Sequence, residues 1–309
     1  MRRAVYSEDK IKGLMFGLLL GDAFGSQFND LEPLDIPPLD LDYVRLHPPD
    51  SYTADTQMAI SVLEEMVEHG AVDQNRLRER FLKRFTPWRG YGGGMLEVME
   101  RWRSNETARS VAGSLYNGTG SFGDGAAVRC SPTSAFFGLE ETAELFDQVR
   151  LNALLTHTHI YGITGAIVQV TAVLFALNDM PKEQWVERLF KLSMESAFKI
   201  TLGRLVQCVE RKASAQECAQ EIGNGSPAIE AVPAALCAFL RYPDSFADTL
   251  FFASSMGGDA NTIAAMAGAI SGASLGASRI PTELIKASEN SAEGVDFIAG
   301  MVRRAFVEK

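Results

Sequence analysis

The sequence predicts an all-α fold, a single compact multi-helical bundle over residues 1–309, on three observations. Apolar residues recur at helical spacing in stretch after stretch, whereas alternating apolar and polar strand runs are missing. Two segments carry small residues every four positions: Gly13, Gly17, Gly21 and Gly25, then Ala264, Gly268, Gly272 and Gly276. Glycine costs a helix roughly 1 kcal/mol per residue, so two such stripes predict grooves in which helix backbones approach closely at the bundle centre. The third observation is composition: 46% hydrophobic residues and a mean hydropathy near zero describe an ordinary globule with a sizeable core.

In chain order, Ser7 is a predicted cap for a helix over 8–26, and a proline-rich segment, 29–50, reads as a long functional loop. Thr53-Ala-Asp-Thr opens a helix that stops at Gly70, with Met58, Ile60, Val62, Leu63 and Met66 as its apolar positions. Helices follow over 74–85 and 95–102, separated by the loop 86–94. The glycine-rich loop 118–129 runs into a small-residue helix. From there helices are predicted over 141–155, 160–177, 182–200, 201–212, 214–221, 227–240, 246–255, 260–276 and 281–308. Tyr161 to Leu177 is the most apolar stretch, but it holds Thr164, Gln169 and Thr171 and falls short of the roughly 20 residues of a bilayer span. It reads as a buried helix, with no membrane partner.

A formal net charge of −10, spread along the chain, argues against an electrostatic nucleic-acid binder. Cys130, Cys208, Cys218 and Cys237 show no metal-site spacing and lie among apolar residues, which predicts free buried thiols in a reducing compartment. Glu8, Asp9 and Lys10 precede any apolar run, so no secretory signal is read and a cytoplasmic location is expected.

The chemistry-bearing residues sit at helix starts. Thr53, Asp55 and Thr56 open one helix, and Asp259, Asn261 and Thr262 open another behind Gly257 and Gly258. Their oxygens are hard ligands suited to Mg²⁺ or Ca²⁺, and the same residue types also serve as plain helix caps. The loop Gly118 to Arg129 offers backbone N–H groups to a phosphate, or is simply a turn. His157 and His159 are candidates for the core or for a reactive site.

Five segments, taken together and in order, resemble the ADP-ribosylglycohydrolase family over nearly the whole chain. They are Gly17-Leu-Leu-Leu-Gly-Asp-Ala-Phe-Gly25, Tyr52-Thr-Ala-Asp-Thr-Gln-Met58, Gly120-Ser-Phe-Gly-Asp-Gly-Ala-Ala-Val-Arg129, Thr156-His157 and Gly257-Gly-Asp-Ala-Asn-Thr262. The resemblance implies an all-α fold, two magnesium ions (Mn²⁺ as a substitute) and hydrolysis of the N- or O-glycosidic bond joining ADP-ribose to an acceptor. It implies metal ligands at Thr53, Asp55, Asp259, Asn261 and Thr262, with Asp55 and Asp259 also serving catalysis. It implies substrate contacts from the loop Gly120, Ser121, Phe122, Gly123, Asp124 and Gly125, and from His157. Three positions depart from the family pattern: Ala54 and Asn261 replace aspartates, and Asn29 stands where many members have glutamate. Two lost carboxylates predict one bound ion rather than two, and Asp30 or Glu32 is the nearest substitute for the missing glutamate. The expected function is a magnesium-assisted hydrolase; the alternative is an ADP-ribose-binding module that has lost the reaction. A purely structural helical protein is the third reading.

Overall fold

The computed structural model describes residues 3–49, 51–193 and 195–306, and these form helices without a strand. At its centre the Glu8–Gly25 and Ala260–Leu275 helices lie backbone to backbone along the two small-residue stripes. A Cβ built on Gly17 would lie 2.0 Å from the carbonyl oxygen of Gly268, and one on Gly21 would lie 2.1 Å from that of Ala264. Such proximity is open only to residues without side chains, which explains why the stripes persist through two helices otherwise rich in Leu, Met and Ile.

The Ile160–Leu177 helix is the third central element, with the bounds the sequence predicts, and it is long and apolar enough by composition to cross a membrane. It is 83% buried inside the bundle, and Gln169 donates from Nε2 to the Met266 carbonyl oxygen at 3.1 Å. Local signals set the ends of these elements. Ser7 accepts from the Lys10 N–H, Glu8 and Asp9 occupy the positive end of the first helix, and Gly70 closes Ala54–His69 in the left-handed conformation. All four cysteines are buried and free.

Four elements differ from the sequence reading. The proline-rich segment is not structureless: it holds a short 3₁₀ turn, Pro33–Asp35, and the helix Leu41–Leu46. That helix is capped by Asp40 and fixed by Tyr43, whose ring packs against Phe24 and Phe28. The sequence reading assigns no helix to Ala108–Gly118, where a helical segment starts at Ala108 and is kinked at Leu115, Tyr116 and Asn117, the last two with positive φ. The predicted helix 182–200 ends instead at Leu192, with Ser193 and Glu195 extended and Glu195 accepting from the Thr164 hydroxyl, and the next helix, Ser196–Glu210, runs through the predicted division at 200/201. The predicted helix 281–308 becomes Thr282–Ala287 and Val295–Arg304, and residues 307 and 308 lie outside the described ones. Its interruption brings Glu289 against Arg89, at 2.6 and 2.7 Å, a pairing between distant segments that no local pattern reveals.

Candidate functional site

The site is built around a residue that the motif reading passed over. Asp22, fully buried in the first helix, accepts five hydrogen bonds. Thr53 donates from its N–H at 2.8 Å and its hydroxyl at 2.7 Å, and Thr56 from its N–H at 3.1 Å and its hydroxyl at 2.7 Å. Asn261 supplies the fifth from Nδ2, at 3.1 Å. One carboxylate therefore pins the starts of the Ala54–His69 and Ala260–Leu275 helices together and satisfies N–H groups that a helix start leaves open. The signal was in the sequence: Asp22 is the only charged residue between Leu14 and Phe28.

With the two starts joined, the remaining polar groups converge. The Thr262 hydroxyl donates to Asp55 Oδ2 at 2.7 Å, and Asn261 Nδ2 approaches the same oxygen at 3.2 Å. Asn29 closes the other side: its Oδ1 accepts from the Asn261 backbone N–H at 2.9 Å, and its Nδ2 donates to Asn261 Oδ1 at 2.8 Å. Gly257 and Gly258 both have positive φ, and a Cβ on either would collide with the main chain of Leu31 or Asn224. That turn is tied to the loop bearing Asn29 by Asp30 N–H to Gly258 O and Gly258 N–H to Leu31 O.

A cavity of about 330 Å³ opens beside this cluster. Thr53, Asp55, Asp259, Asn261 and Thr262 line its walls together with Ser121, Gly123, Asp124, Gly125 and His157. The structure thus brings together the two motif sets that the sequence places far apart. Two expected contacts lie outside these walls. Gly120 is needed for the loop itself, since its φ is +73° and a Cβ would strike the Thr158 hydroxyl. Phe122 stands at the rim, 43% exposed, in an aromatic group with Tyr116 and His159. The loop Gly90 to Gly94 and Tyr116 complete the enclosure, a contribution the sequence reading did not assign.

Charge is concentrated on one side. Burial and the neighbouring Asp22 carboxylate hold Asp55 well above the usual carboxylate range, and burial with Asp259 and Asp55 nearby does the same to Asp124. Burial also raises Asp259, against the lowering effect of its bonds to Thr262 and Asp124. One oxygen of Asp124 is buried without a hydrogen-bond partner. Three carboxyl groups pushed toward protonation in one cleft, one of them under-satisfied, form a set that a cation would relieve.

His157 Nδ1 lies 2.7 Å from the Thr156 hydroxyl, while its Nε2 faces the glycine loop. Burial and then the Arg129 guanidinium push it down to about 3, so the ring is neutral at pH 7 and not poised for proton transfer there. An unfolded chain takes up this proton near pH 6.5 whereas the folded chain refuses it, so His157 costs stability as pH falls through that window. In denaturant titrations at about pH 7 and about pH 4.5, His157→Gln should therefore lose less stability than the parent; equal losses would rule out a buried neutral imidazole.

An all-α bundle with an acidic, glycine-walled cleft between helix starts defines the class: a helical protein built to hold a polar ligand beside converging oxygens. The family profile for ADP-ribosylglycohydrolase matches residues 3–309. ADP-ribosylhydrolase ARH3 of Homo sapiens is 31% identical over 350 aligned positions, covering 98% of this chain and 95% of that protein. The Bos taurus protein of the same name is 31% identical over 349, covering 98% and 94%. A solved structure described as an ADP-ribosylglycohydrolase-related protein complex superposes with a TM-score of 0.75 at 22% identity, covering 97% of both chains. The chain belongs to the ADP-ribosylglycohydrolase family.

Proposed function

We propose that the protein is a magnesium-assisted hydrolase that cleaves the glycosidic bond between ADP-ribose and an acceptor, with one divalent cation in its cleft. The observation that carries this reading is that Asp55, Asp124 and Asp259 line one cavity with the glycine loop, with a buried, unpartnered oxygen on Asp124. These residues fit a hard cation: carboxylates that repel one another in a partly dehydrated cleft are stabilised by a divalent charge. Such an ion, when bound, polarises the ribose oxygens and lowers the charge repulsion among the carboxylates. Asp55 or Asp259 would then accept a proton from the water that attacks the anomeric carbon. The bond from that carbon to the acceptor breaks, and the acceptor leaves with the bonding electron pair.

The glycine loop holds the nucleotide portion in this reading. A Cβ on Gly123 would meet nothing closer than 3.4 Å, so the fold tolerates a side chain there, yet that side chain would enter the cavity. Gly123→Val should keep the melting temperature within a few degrees and weaken ADP-ribose binding; unchanged affinity by calorimetry would remove the loop from the binding surface. Phe122 offers its exposed ring to the adenosine, so Phe122→Ala should cost affinity and little stability. A large fall in melting temperature with unchanged ADP-ribose affinity would instead make the ring a packing element.

One observation favours the alternative, a binding module without turnover. Asn29, Ala54 and Asn261 leave the Asp22 side of the cleft with amides and a methyl group where the family pattern has carboxylates. Hydrolysis of ADP-ribosylated peptide and of a small ADP-ribose conjugate, measured with and without Mg²⁺, decides between the two. Mg²⁺-dependent turnover supports the hydrolase. Tight ADP-ribose binding with no turnover at any Mg²⁺ concentration supports the module.

A further inference from the structure

We propose that the side-chain NH₂ of Asn261, locked in orientation by Asn29, takes the place of a cation on the Asp22 side of the cleft. The acidic cluster is thereby divided into a closed half and an open half that admits a single ion. The identity of that ion rests on the hydrolase reading; the division rests on hydrogen bonds alone.

The orientation of an asparagine amide follows from its partners. Here both ends of the chain of bonds are fixed by groups whose roles are unambiguous. At one end the Asn261 backbone N–H is a donor, so the Asn29 atom it meets at 2.9 Å is the oxygen. Asn29 must then present its NH₂ to Asn261 Oδ1, at 2.8 Å, which turns the Asn261 NH₂ the other way. At the far end that NH₂ meets only acceptors: Asp22 Oδ1 at 3.1 Å, Thr53 Oγ1 at 3.2 Å and Asp55 Oδ2 at 3.2 Å. A group carrying partial positive charge thus sits among three oxygens, in the arrangement a cation would otherwise adopt.

The oxygens on this side are already engaged by donors, the two hydrogens of the Asn261 NH₂ being shared among three of them. The Thr53 hydroxyl donates to Asp22 and already accepts from the Asp55 N–H and from Asn261. Asp22 takes five donors. Asn261 Oδ1 is held by Asn29, so it does not face the carboxylates. Asp124, by contrast, which lies against Asp259, keeps one buried oxygen without a hydrogen-bond partner. Asn29 is accordingly a positioning residue that sets how many ions the site holds. Asn29 and Asn261, separated by 232 positions, form one device.

The test is Mn²⁺ titration of the full chain without nucleotide, read by calorimetry and by loss of the free Mn²⁺ resonance signal. The parent should bind one ion. Asn261→Asp replaces the NH₂ by an oxygen, so it should bind two, melt lower without metal and gain more on adding it. Asn29→Ser unlocks the amide, letting it turn its oxygen inward, and should reveal a second ion at least about tenfold weaker than the first. Asn29 lies on a half-buried loop, so this variant remains informative should Asn261→Asp fail to fold. Two ions on the parent, or one on both variants with unchanged affinity, would overturn the proposal. These outcomes are independent of turnover: one ion without hydrolysis defeats only the proposed activity, and two ions with hydrolysis defeats this inference and the single-ion count while leaving the activity standing.

Discussion

Gly17→Val should leave no soluble folded protein. A Cβ at this position falls 2.0 Å from the Gly268 carbonyl oxygen and 2.6 Å from its carbon, and both of those atoms are backbone. No rotamer change relieves a clash with a main chain, so the two central helices would have to separate. They are held at the same distance elsewhere: a Cβ on Gly13 would reach the Gly272 oxygen at 2.1 Å, and one on Gly268 would reach that of Gly17 at 2.2 Å. Moving them apart at one point opens the packing along both helices, in a core that tolerates little change in volume. Overpacking usually costs about 1–3 kcal/mol, and a clash between two backbones belongs above that range. The graded variant Gly17→Ala should therefore lose about 3 kcal/mol or more in urea denaturation. Parent-like stability in Gly17→Ala would mean that the helices are not this close.

That contact was legible in the sequence because small residues every four positions have few other uses in a long apolar helix. The same holds for the start capped by Thr53, for the start at Asp259, whose side chain makes no capping bond, and for the Ile160–Leu177 helix, where periodicity and length agree. What escaped the reading depends on partners distant in the chain. Glu289, in the loop between Thr282–Ala287 and Val295–Arg304, pairs with Arg89, and Tyr43 secures a short helix against Phe24, and neither contact has a local signature. In the cleft, Thr53, Asp55, Asp259 and Thr262 were identifiable by type and spacing. Asn261 was identifiable by position, but the direction of its amide depends on Asn29, and no spacing rule supplies that. Charge counting from the two motifs alone found two carboxylates. The folded cleft adds Asp124 from the glycine loop, and Asp22 behind them.

Asp22→Ala should produce the largest loss in the site, in stability and in metal binding together. Five donors would lose their acceptor at once: two N–H groups at a helix start, two threonine hydroxyls and the Asn261 amide. Each buried group left unsatisfied costs about 1–3 kcal/mol, and because these groups share one environment the costs do not simply add. A net loss of about 4 kcal/mol, or failure to accumulate as folded protein, is expected. Asp22→Asn separates the two consequences. It keeps the volume and one carbonyl oxygen but places an NH₂ against groups that are themselves donors, so it should fold with reduced stability. The Ala54–His69 helix would no longer be held against Ala260–Leu275, and Asp55 would move relative to Asp259. Mn²⁺ affinity should accordingly fall in Asp22→Asn, although Asp22 has no donor-free oxygen to offer an ion. Chemical denaturation and Mn²⁺ titration of the same preparation test this. If Asp22→Asn weakens folding but leaves Mn²⁺ affinity at the parent value, the residue only joins the helices, and the spacing of Asp55 and Asp259 must be set by the remaining contacts between the helix starts.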